Sequence, residues 1–161
     1  MYRSKINEIL NFFISIIICQ FAGLIGSLFT TPSIPGWYAN INKPSFTPPN
    51  WVFAPVWTIL FLLMGISLYF ILRIGLSDKN VRIAIMVFIL QLAFNILWSF
   101  LFFGLRSPFL AFVEIIFLWI AILMTIILFY SLSKVAGILL IPYILWVSFA
   151  SVLNFAIWKM G

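Results

Sequence analysis

Residues 51–72 read WVFAPVWTILFLLMGISLYFIL and contain no charged side chain. A helix needs roughly 20 apolar residues to cross about 30 Å of hydrocarbon, so this run is long enough to span a membrane. A transmembrane β-strand would instead alternate apolar and polar residues over roughly ten positions, and this continuously apolar run does not alternate. The stretch therefore predicts a membrane-spanning helix.

Four further apolar runs flank this one, at residues 9–29, 83–105, 107–130 and 135–158. Across all 161 residues, 65% are hydrophobic and 7% are charged, whereas soluble domains carry roughly 25% charged residues. Glu114 is the only charged residue inside any run. We therefore expect an all-α integral membrane protein whose single domain, residues 1–161, is a bundle of five transmembrane helices, at about 7–29, 51–73, 82–105, 108–130 and 135–158.

The segment between the first two runs is rich in proline and aromatic residues. It includes WYANINKPSFTPPN at residues 37–50. Pro44, Pro48 and Pro49 lack a backbone N–H and hold φ near −65°, which disfavours a helix between residues 43 and 50. We therefore expect a stiff aromatic segment at about residues 30–50, called the first loop below.

Basic residues are divided unequally between the two ends of the predicted helices. The N-terminal side carries Arg3, Lys5, Arg73, Lys79, Arg82 and Lys134, and the opposite side carries Lys43, Arg106 and Lys159. The positive-inside rule then predicts a cytoplasmic N-terminus and an external first loop, in a plasma membrane that we expect to be bacterial. The net charge of +6 is scattered among loops and forms no patch, so nucleic acid is not an expected partner.

Polar and aromatic side chains recur on one face of several predicted helices. At 100° per residue, an arc of about 60° on the third helix holds Gln91, Asn95, Trp98 and Phe102. An arc of about 80° on the fifth helix holds Tyr143, Trp146, Ala150 and Asn154. On the first helix, Gln20, Gly23 and Ser27 align. Two interpretations stay open: contacts that join helices, or the walls of an aromatic ligand cavity with a few orienting amides.

Few side chains suited to catalysis or metal binding are present. The chain has no histidine and a single cysteine, Cys19, so we predict no metal site, no bound cofactor and no conventional catalytic residue. A carboxylate in a membrane is unfavourable unless it is paired or protonated, and we expect Glu114 to pair near the interface with Arg106. A proton-coupled transporter is a less favoured alternative, because such proteins usually contain several buried ionisable groups.

Three motifs occur in order along the chain: WYANINKPSFTPPNWVFAPVW at residues 37–57, FNILWSFLFFG at residues 94–104 and IPYILWVSFASVLNFAIW at residues 141–158. Together they resemble the tryptophan-rich sensory protein family, also called the translocator protein or peripheral-type benzodiazepine receptor family. The resemblance implies a five-helix bundle with a ligand cavity that opens toward the first loop, which acts as a lid. It also implies a homodimer as a candidate assembly within the lipid bilayer.

The resemblance further implies a membrane receptor or carrier for flat hydrophobic ligands, porphyrins such as protoporphyrin IX among them, with a sensory or transport role. Matching the family's motifs position by position gives the ligand-binding candidates Tyr38, Pro48, Trp57, Asn95, Trp98, Trp146 and Ala150. An alternative is light- and oxygen-dependent porphyrin breakdown, in which Trp57 and Trp146 match the tryptophans that take part in bacterial relatives. That chemistry would come from the pigment and oxygen, with no cofactor held by the protein.

Overall fold

The computed structural model describes residues 5–161, so Arg3 of the orientation argument lies outside the described residues. All regular secondary structure within residues 5–161 is helical. Five helical segments are long and apolar enough to cross a membrane: Lys5–Tyr38, Asn50–Leu72, Lys79–Gly104, Pro108–Leu132 and Lys134–Met160. The predicted all-α bundle of five transmembrane helices is therefore confirmed.

The first helix is longer than the apolar pattern predicts. Helix α1 (Lys5–Ser33) continues as a π-helical turn, Ile34–Tyr38, and the backbone stays helical to residue 40. Pro32 and Pro35 do not end it, because a local π-helical adjustment can satisfy the backbone groups that a proline leaves unpaired in a membrane helix. The first loop therefore comprises residues 41–49, where the prediction began it near residue 30.

Short polar side chains begin several of the remaining helices. These helices are α2 (Asn50–Leu72), α3 (Lys79–Ser99) with a π-helical end at Phe100–Gly104, α4 (Pro108–Leu132), α5 (Lys134–Leu139) and α6 (Ile141–Met160). The Asp78 carboxylate accepts a hydrogen bond from the Asn80 N–H at 2.7 Å and caps α3. The Ser107 hydroxyl accepts one from the Leu110 N–H at 3.3 Å and caps α4. Such caps satisfy N–H groups that have no partner inside their own helix.

The fifth span is interrupted, whereas the sequence predicts one continuous helix there. A turn at Leu140 separates α5 from α6, and Pro142 lies in the first turn of α6, where its missing N–H removes no helical hydrogen bond. The Ser67 hydroxyl on α2 donates to the Ala136 carbonyl on α5 at 2.7 Å. This bond ties the second span to the short helix α5.

The helices surround a space on the side of the first loop. Helix α1 packs against α2 and α3, α4 packs against α3 and α6, and α2 packs more extensively against α5 than against α6. Since α2 approaches the last span mainly through α5, its first half lies apart from α6. The space left there is bounded by α1, α2, α3 and α6.

Candidate functional site

A cavity of about 270 Å³ occupies this space, in the half of the bundle nearest the first loop. Six of the seven predicted ligand-binding residues line it: Tyr38, Trp57, Asn95, Trp98, Trp146 and Ala150. Residues from four separate helices therefore meet at one site. Pro48 is the predicted residue that the structure does not bring to the cavity wall.

The first loop, which carries Pro48, contacts α6 at two places, near the middle of the helix and at its end. The Phe46 ring lies 6.3 Å from the Phe149 ring, centroid to centroid, and the Asn42 amide donates to the Met160 carbonyl at 3.2 Å. Lys43 Nζ donates to the Tyr38 carbonyl at 2.6 Å and so caps the end of the first helix. The loop therefore runs toward α6. The residue that directly follows it in the sequence, Asn50, lines the cavity.

Eight aromatic side chains line the cavity. Trp98 stacks on Phe102 with 5.1 Å between ring centroids and 19° between ring planes. The Phe53 ring lies 6.1 Å from the Trp146 ring, and the Trp57 ring lies 6.3 Å from the Tyr143 ring. Flat apolar surfaces of this kind suit a flat aromatic or polyene ligand, because ring faces and edges attract each other at these separations.

Hydrogen bonds between helices hold most of the polar side chains of the two stripes. Trp98 Nε1 donates to Asn154 Oδ1 at 2.9 Å, and Asn154 Nδ2 donates to the Pro108 carbonyl at 2.8 Å. Asn95 Nδ2 donates to Tyr143 Oη at 2.8 Å, and Tyr143 Oη donates to Gln91 Oε1 at 2.8 Å. The interpretation of the stripes as contacts between helices is therefore confirmed. Asn95, Trp98 and Asn154 also line the cavity, and their role in binding a ligand stays a prediction.

Two indoles in the cavity wall differ from the other deep tryptophans. Trp98 and Trp119 donate to side chains of α6, Trp119 to the Ser148 hydroxyl at 2.8 Å. Trp57 and Trp146 line the cavity, and neither indole N–H donates to any group among residues 5–161. Neither indole would therefore have to break a hydrogen bond within the described residues in order to donate one to a ligand.

Glu114 does not make the predicted interfacial pair with Arg106. Its side chain is buried, and neither carboxylate oxygen has a hydrogen-bond partner within the part of the chain that the structure describes. Glu114 shares the buried face of α4 with Ala111 and Leu118, whereas Arg106 is exposed in the turn before that helix. The prediction of the pair is wrong, because the helical phase of Glu114 turns its side chain inward.

The sequence analysis missed most of the α2 wall. Asn50, Phe53, Ala54, Thr58 and Phe61 line the cavity beside Trp57. Their spacing of three and four residues places them on one helical face, which is a signal in the sequence. The surrounding run is so uniformly apolar that this face does not stand out from the others.

Comparison with known proteins gives consistent similarities over nearly the whole chain. Residues 15–159 match the TspO/MBR family. The chain is 48% identical over 155 residues to Tryptophan-rich protein TspO of Archaeoglobus fulgidus, covering 96% of this chain and 99% of that protein. It is 43% identical over 154 residues to Tryptophan-rich protein TspO of Chlorobaculum tepidum, covering 96% and 98%. It is 35% identical over 137 residues to the human Translocator protein, covering 84% and 80%.

Proposed function

Since this chain belongs to the TspO/MBR family of membrane proteins, we propose that it is a receptor or carrier that binds porphyrin-type and other flat hydrophobic ligands in the cavity. The observation that carries the proposal is the pair of indoles, Trp57 and Trp146, whose N–H groups have no partner within residues 5–161 and which lie in one aromatic wall. We further propose that the N-terminus is cytoplasmic and the first loop external. Among the described residues, Lys5, Arg73, Lys79, Arg82 and Lys134 lie on the N-terminal side.

The absence of histidine from the sequence favours stacking as the mode of binding. No imidazole is present to bind a porphyrin metal, so affinity would come from ring contacts, burial of apolar surface and hydrogen bonds to peripheral groups. The cavity volume of about 270 Å³ lies just below the range of roughly 300–1,000 Å³ that is usual for ligand sites. A complete tetrapyrrole is larger than this volume, so it would either protrude from the cavity or move the cavity walls apart.

Porphyrin binding is tested by titrating protoporphyrin IX into the detergent-solubilised protein and following tryptophan fluorescence. We expect saturable quenching in the parent protein. In Trp146→Ala the affinity should fall by about tenfold, because an aromatic contact and a free hydrogen-bond donor are lost together.

Trp51→Ala is the matched control, because Trp51 is exposed and does not line the cavity. Its affinity should equal that of the parent. Quenching that does not saturate, or a Trp146→Ala affinity equal to that of Trp51→Ala, would contradict the proposed site.

A second candidate function is light-dependent breakdown of a bound porphyrin, and the same two indoles favour it. The pigment would absorb light, dioxygen would be the oxidant, and Trp57 and Trp146 would be oxidisable side chains in the cavity wall whose indole N–H groups have no partner within residues 5–161. Illumination of the aerobic complex should then yield an altered tetrapyrrole absorption spectrum. The yield of this product should fall in Trp57→Phe and Trp146→Phe. It should stay unchanged in Trp119→Phe, because Trp119 does not line the cavity and its indole donates a hydrogen bond to Ser148. Equal yields in all three variants would exclude a role for these indoles.

A further inference from the structure

The exposed part of the cavity wall belongs to two neighbouring helices. Five lining residues are exposed: Leu24 and Thr31 on α1, and Asn50, Ala54 and Thr58 on α2. Every lining residue of α3 and α6 is buried or half-buried. The cavity therefore opens sideways, through a gap between α1 and α2, which we call the α1–α2 gap.

The α1–α2 gap is closed toward the middle of the bundle. Gln20 Nε2 donates to the Thr58 carbonyl at 3.1 Å and joins the two helices. Nearby, the Phe61 ring covers Gly23 so closely that a Cβ added there would lie 2.7 Å from it. Toward the other end, the first loop is fastened to α6 by the Phe46 and Asn42 contacts. The opening thus lies between the Gln20 hydrogen bond and the start of α2.

The depth of the α1–α2 gap places it beside lipid. Ala54 and Thr58 lie four and eight residues after Asn50, which corresponds to roughly 6 and 12 Å along the α2 axis at 1.5 Å per residue. Since α2 crosses the membrane, this segment runs from the interface into the hydrocarbon region. The neighbouring surface of α1 is apolar, with Leu24 63% exposed and Leu28 69% exposed.

Three hydroxyl groups at the rim, those of Ser27, Thr30 and Thr58, do not require water. Ser27 Oγ donates to the Leu24 carbonyl at 2.7 Å, and Thr58 Oγ1 donates to the Ala54 carbonyl at 2.8 Å. Thr30 Oγ1 likewise donates to the Gly26 carbonyl at 3.1 Å. Because these three donors are satisfied within their own helices, this part of the rim presents carbon atoms to the gap at little desolvation penalty. Thr31 and Asn50, whose side chains make no such bond among the described residues, lie nearer the first loop.

We propose that the α1–α2 gap is a portal between the cavity and the bilayer, and that an acyl chain of a neighbouring phospholipid occupies the cavity when no other ligand is bound. A mainly apolar cavity that opens within the hydrocarbon region of the bilayer is in contact with lipid acyl chains and not with water. An acyl chain is therefore the group that fills it. Hydrophobic ligands then exchange through the lipid phase. This inference concerns access to the cavity and holds whether or not the ligand is a porphyrin.

Quenching by brominated lipid tests the portal directly. The full chain is placed in nanodiscs of phosphatidylcholine with mid-chain bromine atoms, and fluorescence is compared between the parent and Trp57→Phe. The difference between the two fluorescence signals is the contribution of Trp57, which lines the cavity, and is called the Trp57 component below. It excludes the contribution of tryptophans such as Trp51 on the outer surface. We expect brominated chains to quench the Trp57 component and aqueous iodide to leave it unchanged. Iodide quenching without bromine quenching would overturn the proposal, and so would resistance of that component to both quenchers.

Two substitutions at the rim of the gap should change the extent of quenching by brominated lipid in opposite directions. Ala54→Phe narrows the gap from an exposed position, so it should reduce quenching of the Trp57 component and slow association of a lipid-soluble ligand by roughly tenfold. Leu24→Ala widens the gap and should increase the quenching. Ile59→Phe, exposed on α2 but absent from the cavity wall, is the control and should match the parent. If Ala54→Phe and Ile59→Phe gave equal quenching, the gap would not be the route.

Discussion

Replacing Gly65 with alanine should destabilise the protein by about 1–3 kcal/mol, the usual range for an overpacked site. Gly65 lies on α2 where it faces α1, and a Cβ at this position would lie 2.6 Å from the Ile16 Cα. The obstructing atom belongs to the backbone, so rotation of a side chain cannot relieve the clash. The two helices must separate, and the Gln20 hydrogen bond to the Thr58 carbonyl should weaken with them. The measurement is the Tm of the purified protein in detergent.

Gly36→Ala provides the matched control, since a Cβ there would meet no atom within 4 Å. Alanine has a helix propensity about 1 kcal/mol better than that of glycine, so this variant should be as stable as the parent or slightly more stable. The same gain in helix propensity applies to Gly65→Ala, but the clash of the new Cβ with the Ile16 backbone outweighs it. A Gly65→Ala protein with the Tm of Gly36→Ala would show that close packing of α1 on α2 does not limit stability.

Replacing Tyr143 with phenylalanine should destabilise the protein by about 1–3 kcal/mol, although only one oxygen atom is removed. The Tyr143 hydroxyl accepts a hydrogen bond from the Asn95 amide and donates one to Gln91 Oε1. Gln91, Asn95 and Tyr143 are all buried, so the substitution leaves two buried polar groups without these partners. Thermal unfolding in detergent or in nanodiscs would measure the loss.

Tyr130→Phe makes the same chemical change at an exposed position and should have little effect on the Tm. A second comparison separates the hydrogen bonds from the packing of the ring. In a protein that also carries Gln91→Leu and Asn95→Leu, Tyr143→Phe should have a much smaller effect, because no unpaired amide remains. An effect of equal size in that background would mean that Tyr143 stabilises α3 against α6 through its ring alone.

Much of the candidate site is predictable because helical phase can be calculated from residue number. Asn95 and Trp98 share a face of the third span, Trp146 and Ala150 share a face of the fifth, and both faces line the cavity. Helical phase also predicts which residues are neighbours on one helix, but it gives no information on which helices pack against each other. For that reason the sequence could not distinguish Trp98, whose indole is bonded to Asn154, from Trp57 and Trp146, whose indoles have no partner within residues 5–161.

The errors also have identifiable physical causes. The predicted loop began near residue 30, where the first apolar run ends, although a membrane helix can continue past Pro32 and Pro35 through a π-helical turn. The interfacial pair of Glu114 and Arg106 was expected from nearness in sequence, whereas the facing direction of Glu114 placed it in the bundle. Pro48 was a candidate through its motif, but the loop that carries it is fastened toward α6.

The sequence by itself determined that this chain forms five membrane-spanning helices, because the length and apolarity of each run depend on local composition and on the thickness of the bilayer. It also determined the inward faces of the third and fifth helices, which follow from helical phase. Only the tertiary structure decided that α2 approaches the last span through α5, that an aromatic cavity remains beside α6, and that the exposed residues of its wall belong to α1 and α2. Those features arise from contacts between residues far apart in the chain, such as Gly65 with Ile16 and Asn42 with Met160, and no local pattern encodes such pairings.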